Sequence, residues 1–218
     1  DLTGIEIMPA YRDRDPLREL IEEASRRNIK VIPWFEYGFS SSYNLDGGDI
    51  INLKPKWAAR DTAGNLVKKN GFEWMNAFNP EVQDFMLSLV MEVVRNYNVD
   101  GIMGDDRLPA LPVEAGYDSY TIELYKSQHN GNPPPANPED SAWIQWRADI
   151  LSGFMKELYD SVKTFNRNLI VASAPGLFPW SKEEYLQDWP EWINSGYVDL
   201  IIPQIYRYEL NEYIFELD

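Results

Sequence analysis

The pattern that most constrains this chain is one unit used four times in succession: an amphipathic helix, a short turn, an apolar strand, then a long polar segment. Such alternation builds parallel β/α units, because a parallel strand needs a helical crossover to rejoin its sheet. The first helix spans about Asp15 to Arg27, with Asp15 as N-cap and Pro16 at the first helical position. Leu17, Leu20, Ile21 and Ala24 share its buried face. Val31 to Glu36 follows as a strand, interrupted by Pro33, which has no ladder donor. Asn79 and Pro80 open a helix to Asn96, and Val99 to Asp105 forms the next strand. A long helix from Asp140 to Phe165 precedes the strand Leu169–Ser173. Ser181 with Glu184 reads as a capping box for a helix ending near Ser195 and Gly196, before the strand Val198–Tyr206.

The helix-to-strand turns are short, whereas the segments Tyr37 to Phe78 and Asp106 to Glu139 are long. Long connections in a compact domain are usually functional. Here they follow the strands, at the carboxyl ends where (β/α)8 barrels and doubly wound sheets place their sites. The expected fold is α/β: either an open sheet or, as the abrupt start and stop favour, a section of a (β/α)8 TIM barrel with about four to five strands, forming one domain over residues 1–218. Gly4 to Met8 is the candidate fifth strand. The start at Asp1, without methionine or signal peptide, hints at a piece of a longer chain.

Composition removes whole classes of chemistry. There is no cysteine and one histidine, so thiolate and multi-histidine metal sites are excluded. A formal net charge of −15 argues against nucleic acid and anionic membranes as partners. No apolar run is long enough to span a membrane. Gly38-Phe39-Ser40 fails as a nucleophile elbow because Ser42 stands where glycine is needed. Phosphate-binding loops, dinucleotide fingerprints and HExxH are absent. His129 lies in a proline-rich turn and is expected to be non-catalytic, and no cofactor or metal is called for.

What remains is carboxylate chemistry. Asp105 and Asp106 end the second strand beside Arg107, and proximity should split their proton affinities. A turn with a helix cap is the alternative use of this pair. Glu36 ends the preceding strand on the same side. Gln204, Tyr206 and Arg207 close the fourth strand as a polar cluster. Trp34, Tyr37, Trp57, Trp74, Tyr117 and Trp180 lie in or near strand ends and are candidates for stacking on sugars, as well as for ordinary packing. Asp100 and Asp199 begin strands. Asp100 sits roughly 16 Å from Asp105 at the usual strand rise and belongs to the opposite, structural end. Carboxylates in an aromatic, polar cleft suit glycoside hydrolysis, which needs one carboxyl as acid and a second as nucleophile or base.

These same residues carry a family likeness. Asp15-Pro16-Leu17 through Ile32-Pro33-Trp34-Phe35-Glu36-Tyr37-Gly38, Trp74-Met75-Asn76 with Asn79-Pro80, and Val99-Asp100-Gly101-Ile102 with Asp105-Asp106-Arg107 resemble the glycosyl-hydrolase-like family 10 proteins of bacteria. So do Trp143 with Trp146-Arg147, Asp188-Trp189, and Val198 through Arg207. The resemblance implies a glycosidase-like (β/α)8 TIM barrel exported to the cell envelope or beyond. It implies hydrolysis of amino-sugar glycans, above all peptide-free peptidoglycan strands. It places the family's aspartate pair on Asp105 and Asp106, its strand-end polar position on Glu36, and its Gln-x-Tyr on Gln204 and Tyr206. Family chains usually carry further barrel strands on both sides. The expected catalytic set is therefore Asp105, Asp106 and Glu36. Arg107, Gln204, Tyr206, Trp34, Tyr37 and Trp180 would bind the polysaccharide. A catalytically silent carbohydrate-binding barrel and a metal-assisted hydrolase using oxygen ligands are the competing readings.

Overall fold

The computed structural model describes residues 5 and 8–217. In chain order the elements are α1 (Pro16–Ser25), β1 (Trp34–Phe35), β2 (Ser40–Tyr43), α2 (Gly48–Leu53), β3 (Lys68–Lys69), β4 (Phe72–Trp74), α3 (Pro80–Asn96) and β5 (Gly101–Gly104). They continue with α4 (Ser119–Gln128), α5 (Ser141–Phe165), β6 (Ile170–Ser173), α6 (Trp180–Tyr185), α7 (Trp189–Asn194), β7 (Leu200–Ile201) and α8 (Leu210–Phe215). Strands β1, β5, β6 and β7 lie side by side in that order, all parallel. The candidate strand Gly4 to Met8 lies largely outside the described residues.

The helix termini follow from local chemistry. Asp15, Asn79 and Asp140 each accept backbone N–H bonds at the starts of α1, α3 and α5, and proline follows the first two. The expected capping box at Ser181 does not form. α6 begins at Trp180, with Pro179 in the N-cap position two residues before Ser181, and Ser181 Oγ instead donates to the Gln187 carbonyl. The chain reverses at Leu186 and a separate helix, α7, starts at Trp189. One expected helix is thus two short ones. The four strands are also shorter than the apolar runs that announced them. Pro33 lies just outside β1, and its carbonyl accepts from Met103 N at 2.9 Å.

Register divides the sheet into two faces. Trp34, Met103, Ala172 and Leu200 form one cross-strand row, and Phe35, Gly104, Ser173 and Ile201 the next. Ile102 and Val171 share the second face and are sealed against α3 and α5 by Val82, Met86, Val90, Leu151, Phe154 and Leu158. Each such side chain contributes about 1.5–3 kcal/mol by leaving water. On the first face Trp34 is 50% exposed, and Leu200 and Ile202 are similarly open. Because side chains alternate, Glu36, Asp105 and Gln204 continue this first face beyond the strand ends.

At the opposite end two aspartates staple neighbouring strands. Asp100 accepts from Val31 N at 2.7 Å, and Asp199 accepts from Val171 N at 2.7 Å. Lys163 pairs with Asp199 as well. Their structural role is the one their positions implied.

The two long segments are more ordered than sequence suggested. Residues 37–78 contain a three-stranded antiparallel sheet, β2–β4–β3. Residues 106–139 contain α4, capped by Asp118. The buried Arg147 guanidinium donates to the carbonyls of Val113, Ala115 and Pro138, fixing that second segment from within. Burial pushes the Arg147 pKa down to about 9.

Candidate functional site

The site is assembled where β1, β5 and β7 end. Gly104 permits the turn that follows β5, since a Cβ there would stand 2.3 Å from the Leu108 carbonyl oxygen. Leu108 N donates to the Asp105 carbonyl to close that turn. Gly38 receives the outer side of the turn. It has φ +52°, a Cβ on it would meet the Arg107 carbonyl oxygen at 2.0 Å, and Phe39 N donates to that same oxygen. The backbone of Asp105-Asp106-Arg107 is therefore clamped between two glycines.

Asp105 is 2% exposed and both carboxylate oxygens are engaged. Oδ2 accepts from Arg107 Nη2 at 2.5 Å, and Oδ1 from Gln204 Nε2 at 2.6 Å. Gln204 is fixed in turn: its Nε2 also donates to the Ala174 carbonyl, and its Oε1 accepts from the Tyr206 hydroxyl. Arg107 is the hub. Its Nε donates to the Glu36 carbonyl, its Nη1 lies 3.0 Å from Asp106 Oδ1, and its Nη2 lies 3.7 Å from Glu36 Oε1. The guanidinium rests 4.4 Å from the ring centroid of Phe72 in β4, a cation–π contact that braces it from the antiparallel sheet.

Asp106 differs from its neighbour in every respect that matters chemically. Its Oδ1 is buried and has no hydrogen bond; the approach of Arg107 is an ion-pair distance without hydrogen-bond alignment. Burial, then the adjacent Asp105 charge, pushes its pKa up to about 7, against the pull of Arg107. Asp106 also borders a cleft of about 310 Å³, lined with Gly176, Leu177, Trp180, Gln204, Tyr206 and Arg207. Asp105 lies behind that lining. Trp180, 49% exposed, lies against Gly176, where a Cβ would stand 2.8 Å from the indole ring.

The residues singled out from sequence thus fall into three groups. Asp106, Gln204, Tyr206, Arg207 and Trp180 share the cleft, and Asp105 and Arg107 support them. The Glu36 side chain is 64% exposed and touches the group only through Arg107. Trp34 and Tyr37 lie outside the cleft lining: Trp34 on the open sheet face, Tyr37 edge-on to Phe72. Trp57 and Trp74 are not available to a ligand. Both are core residues, 6% and 1% exposed, packed on Phe85 and Tyr185. Sequence reading did not assign Phe72 to the site, and no local signal could have done so. Its contact with Arg107 spans two separate sheets. Among the described residues no three His, Cys, Asp or Glu side chains gather as a metal site, and no helix is long and apolar enough to cross a membrane.

Comparisons with known proteins bear on the family and the fold. A family profile described as glycosyl hydrolase-like 10 matches residues 6–218. Glycosyl hydrolase YngK of Bacillus subtilis (strain 168) is 24% identical over 94% of this chain and 41% of its own length. Glycosyl hydrolase DigH of Escherichia coli (strain K12) is 25% identical over 91% of this chain and 47% of its own. The chain spans less than half the length of these curated relatives. Among solved structures, the PgaB (BpsB) glycoside hydrolase domain from Bordetella bronchiseptica superposes with a TM-score of 0.68 at 17% identity, covering 94% of this chain and 61% of that one. Alpha-L-fucosidase isoenzyme 2 from Paenibacillus thiaminolyticus superposes at 0.55 with 24% identity over 74% of this chain and 23% of its own. These superpositions show the fold: part of a TIM-barrel-like β/α domain.

Proposed function

The chain belongs to the glycosyl hydrolase-like 10 family, and on that premise we propose that it forms part of a glycosidase acting on an amino-sugar polysaccharide, peptide-free peptidoglycan strands first among them. The observation that carries the proposal is Asp106. It is a cleft-lining carboxyl whose pKa is raised to about 7 by burial and by Asp105, so that a large share keeps its proton at neutral pH, beside an exposed tryptophan and a fixed Gln–Tyr pair. That is the condition for a general acid at neutral pH. In the proposed reaction Asp106 gives its proton to the glycosidic oxygen as the bond to the anomeric carbon breaks. Asp105, immobilised by Arg107 and Gln204, maintains the field that keeps the Asp106 proton in place. Glu36 is the second carboxylate, acting on the anomeric carbon directly or through water. Gln204, Tyr206 and Arg207 bond sugar hydroxyls, and Trp180 supports a ring face. A peptidoglycan substrate places the protein in the cell envelope or outside the cell.

One observation favours a competing reading, a catalytically silent glycan-binding barrel. Among the described residues Asp106 is the only carboxylate lining the cleft. The two readings separate when the full-length protein is incubated with peptide-free peptidoglycan and the products are identified by mass spectrometry. Shorter glycans carrying new reducing ends support the glycosidase. Retained binding without cleavage supports the silent barrel.

A further inference from the structure

Trp180, the aromatic wall of the cleft, sits in a helix too short to hold itself. α6 has six residues, and a helix of that length depends on tertiary contacts. Its last carbonyls are claimed from outside: Glu184 O accepts from Val113 N at 2.9 Å, and Tyr185 O from Leu111 N at 3.1 Å. Those backbone bonds fix the path of the helix. They do not fix the Trp180 indole, which is 49% exposed and has no hydrogen bond among the described residues. The indole leans on Gly176 and on the ring of Tyr185, 5.4 Å away between centroids.

Tyr185 is anchored from the antiparallel sheet. Asn70 and Gly71 form the two-residue turn between β3 and β4, with φ +52° and +84°. Asparagine suits such a turn for its backbone alone, but here its side chain has a second partner 115 residues away: Asn70 Nδ2 donates to the Tyr185 hydroxyl at 2.8 Å. Lys69 Nζ lies 5.0 Å from the Tyr185 ring centroid and pairs with Glu184 at 2.6 Å and Glu114 at 3.0 Å. Trp74 in β4 packs on the same ring. Burial pushes the Tyr185 pKa up to about 12 against the Asn70 bond, with the charges of Asp106, Glu114 and Glu184 adding to the rise, so the phenol stays neutral. On the far side of the same turn, Phe72 braces Arg107. One hairpin thus touches both walls of the cleft: Arg107, which holds Asp106, and Tyr185, which supports Trp180.

We propose that Asn70 and Tyr185 are positioning residues for substrate binding: Asn70 fixes the Tyr185 ring, and that ring sets the Trp180 indole at the angle a sugar face meets. The inference rests on the reading of Trp180 as a sugar platform and deepens it. The width and orientation of the cleft are then set by the β3–β4 turn, which itself touches no substrate.

The test uses the full-length protein with peptide-free peptidoglycan strands as substrate. Fluorotryptophan labelling adds a readout independent of activity, the Trp180 fluorine resonance being the one lost in Trp180→Phe. Asn70→Gly keeps the left-handed turn and deletes the amide; Tyr185→Phe keeps the ring and deletes the hydroxyl. Each should move the Trp180 resonance and raise KM by about threefold, the weight of one side-chain hydrogen bond, with kcat within about twofold. Combining the two should add nothing to either alone. In a Trp180→Ala background Asn70→Gly should not change KM further, a result that a general loss of stability would not give. A Trp180 resonance that stays in place in both variants, or a KM rise of the same size without the Trp180 indole, would overturn the proposal. A protein that cleaves nothing counts against the glycosidase reading alone, and the fluorine resonance then decides the positioning.

Discussion

Replacing Asp106 with asparagine should stabilise the protein in alkaline solution and leave it unchanged in acid. The Asp106 pKa rises from 3.8 to about 7 on folding, chiefly because its carboxylate is buried and secondarily because Asp105 is adjacent. A group whose folded pKa is raised favours the native state fully below its unfolded value. That contribution is lost as pH climbs through the folded value, so the window runs from about pH 4 to pH 7. At ~1.36 kcal/mol per tenfold, the full shift corresponds to ~4 kcal/mol. The side chain is 38% exposed, and solvent screening reduces the figure to about 1–2 kcal/mol. In a domain of this size that is about 2–8 °C in melting temperature at pH 8. Asparagine keeps the shape and removes the charge. Thermal unfolding of both proteins at pH 4, 5.5, 7 and 8 measures the difference. A gap that opens between pH 4 and 7 in favour of the variant is the expected result. A gap independent of pH, or a wild-type protein more stable at pH 8, would refute the assignment of a raised pKa to Asp106.

Three further outcomes follow from named contacts. Asp100→Ala leaves Val31 N without its acceptor and should lower stability by about 1–3 kcal/mol in urea titration, with kcat unchanged. Gly38→Ala drives a methyl into the Arg107 carbonyl; it should lower stability by ~1 kcal/mol or more and reduce kcat, because Arg107 holds both aspartates. Trp180→Ala should raise KM by about tenfold with a smaller change in kcat, as expected for an aromatic platform that binds substrate and transition state alike.

The elements legible in the sequence were those whose signals are local. Asn79-Pro80 and Asp140 announced α3 and α5 because an N-cap acts on the residues immediately after it. Asp105 and Asp106 could be placed at a strand end because Val99 to Gly104 reads as an apolar strand bounded by charge. The antiparallel sheet in residues 37–78 was not legible. Its strands are two to four residues long, β2 is Ser-Ser-Ser-Tyr, and long-range pairing rather than periodicity defines them. Ser181 with Glu184 matched a capping pattern, but Trp180 packs on Gly176 and starts the helix earlier. The division of labour between the two aspartates was equally hidden. It depends on Gly104 and Gly38 shaping a turn, and on Gln204, 99 residues away, claiming one oxygen of Asp105.

The most direct measurement of the central claim is the rate of cleavage of peptide-free peptidoglycan strands by the full-length protein from pH 5 to 9, with Asp106→Asn alongside. A wild-type rate that declines above about pH 7, as Asp106 loses its proton, and a variant at least ~100-fold slower between pH 5 and 7, with the gap narrowing at higher pH, are the results this account expects. A variant that cleaves at the wild-type rate would contradict it.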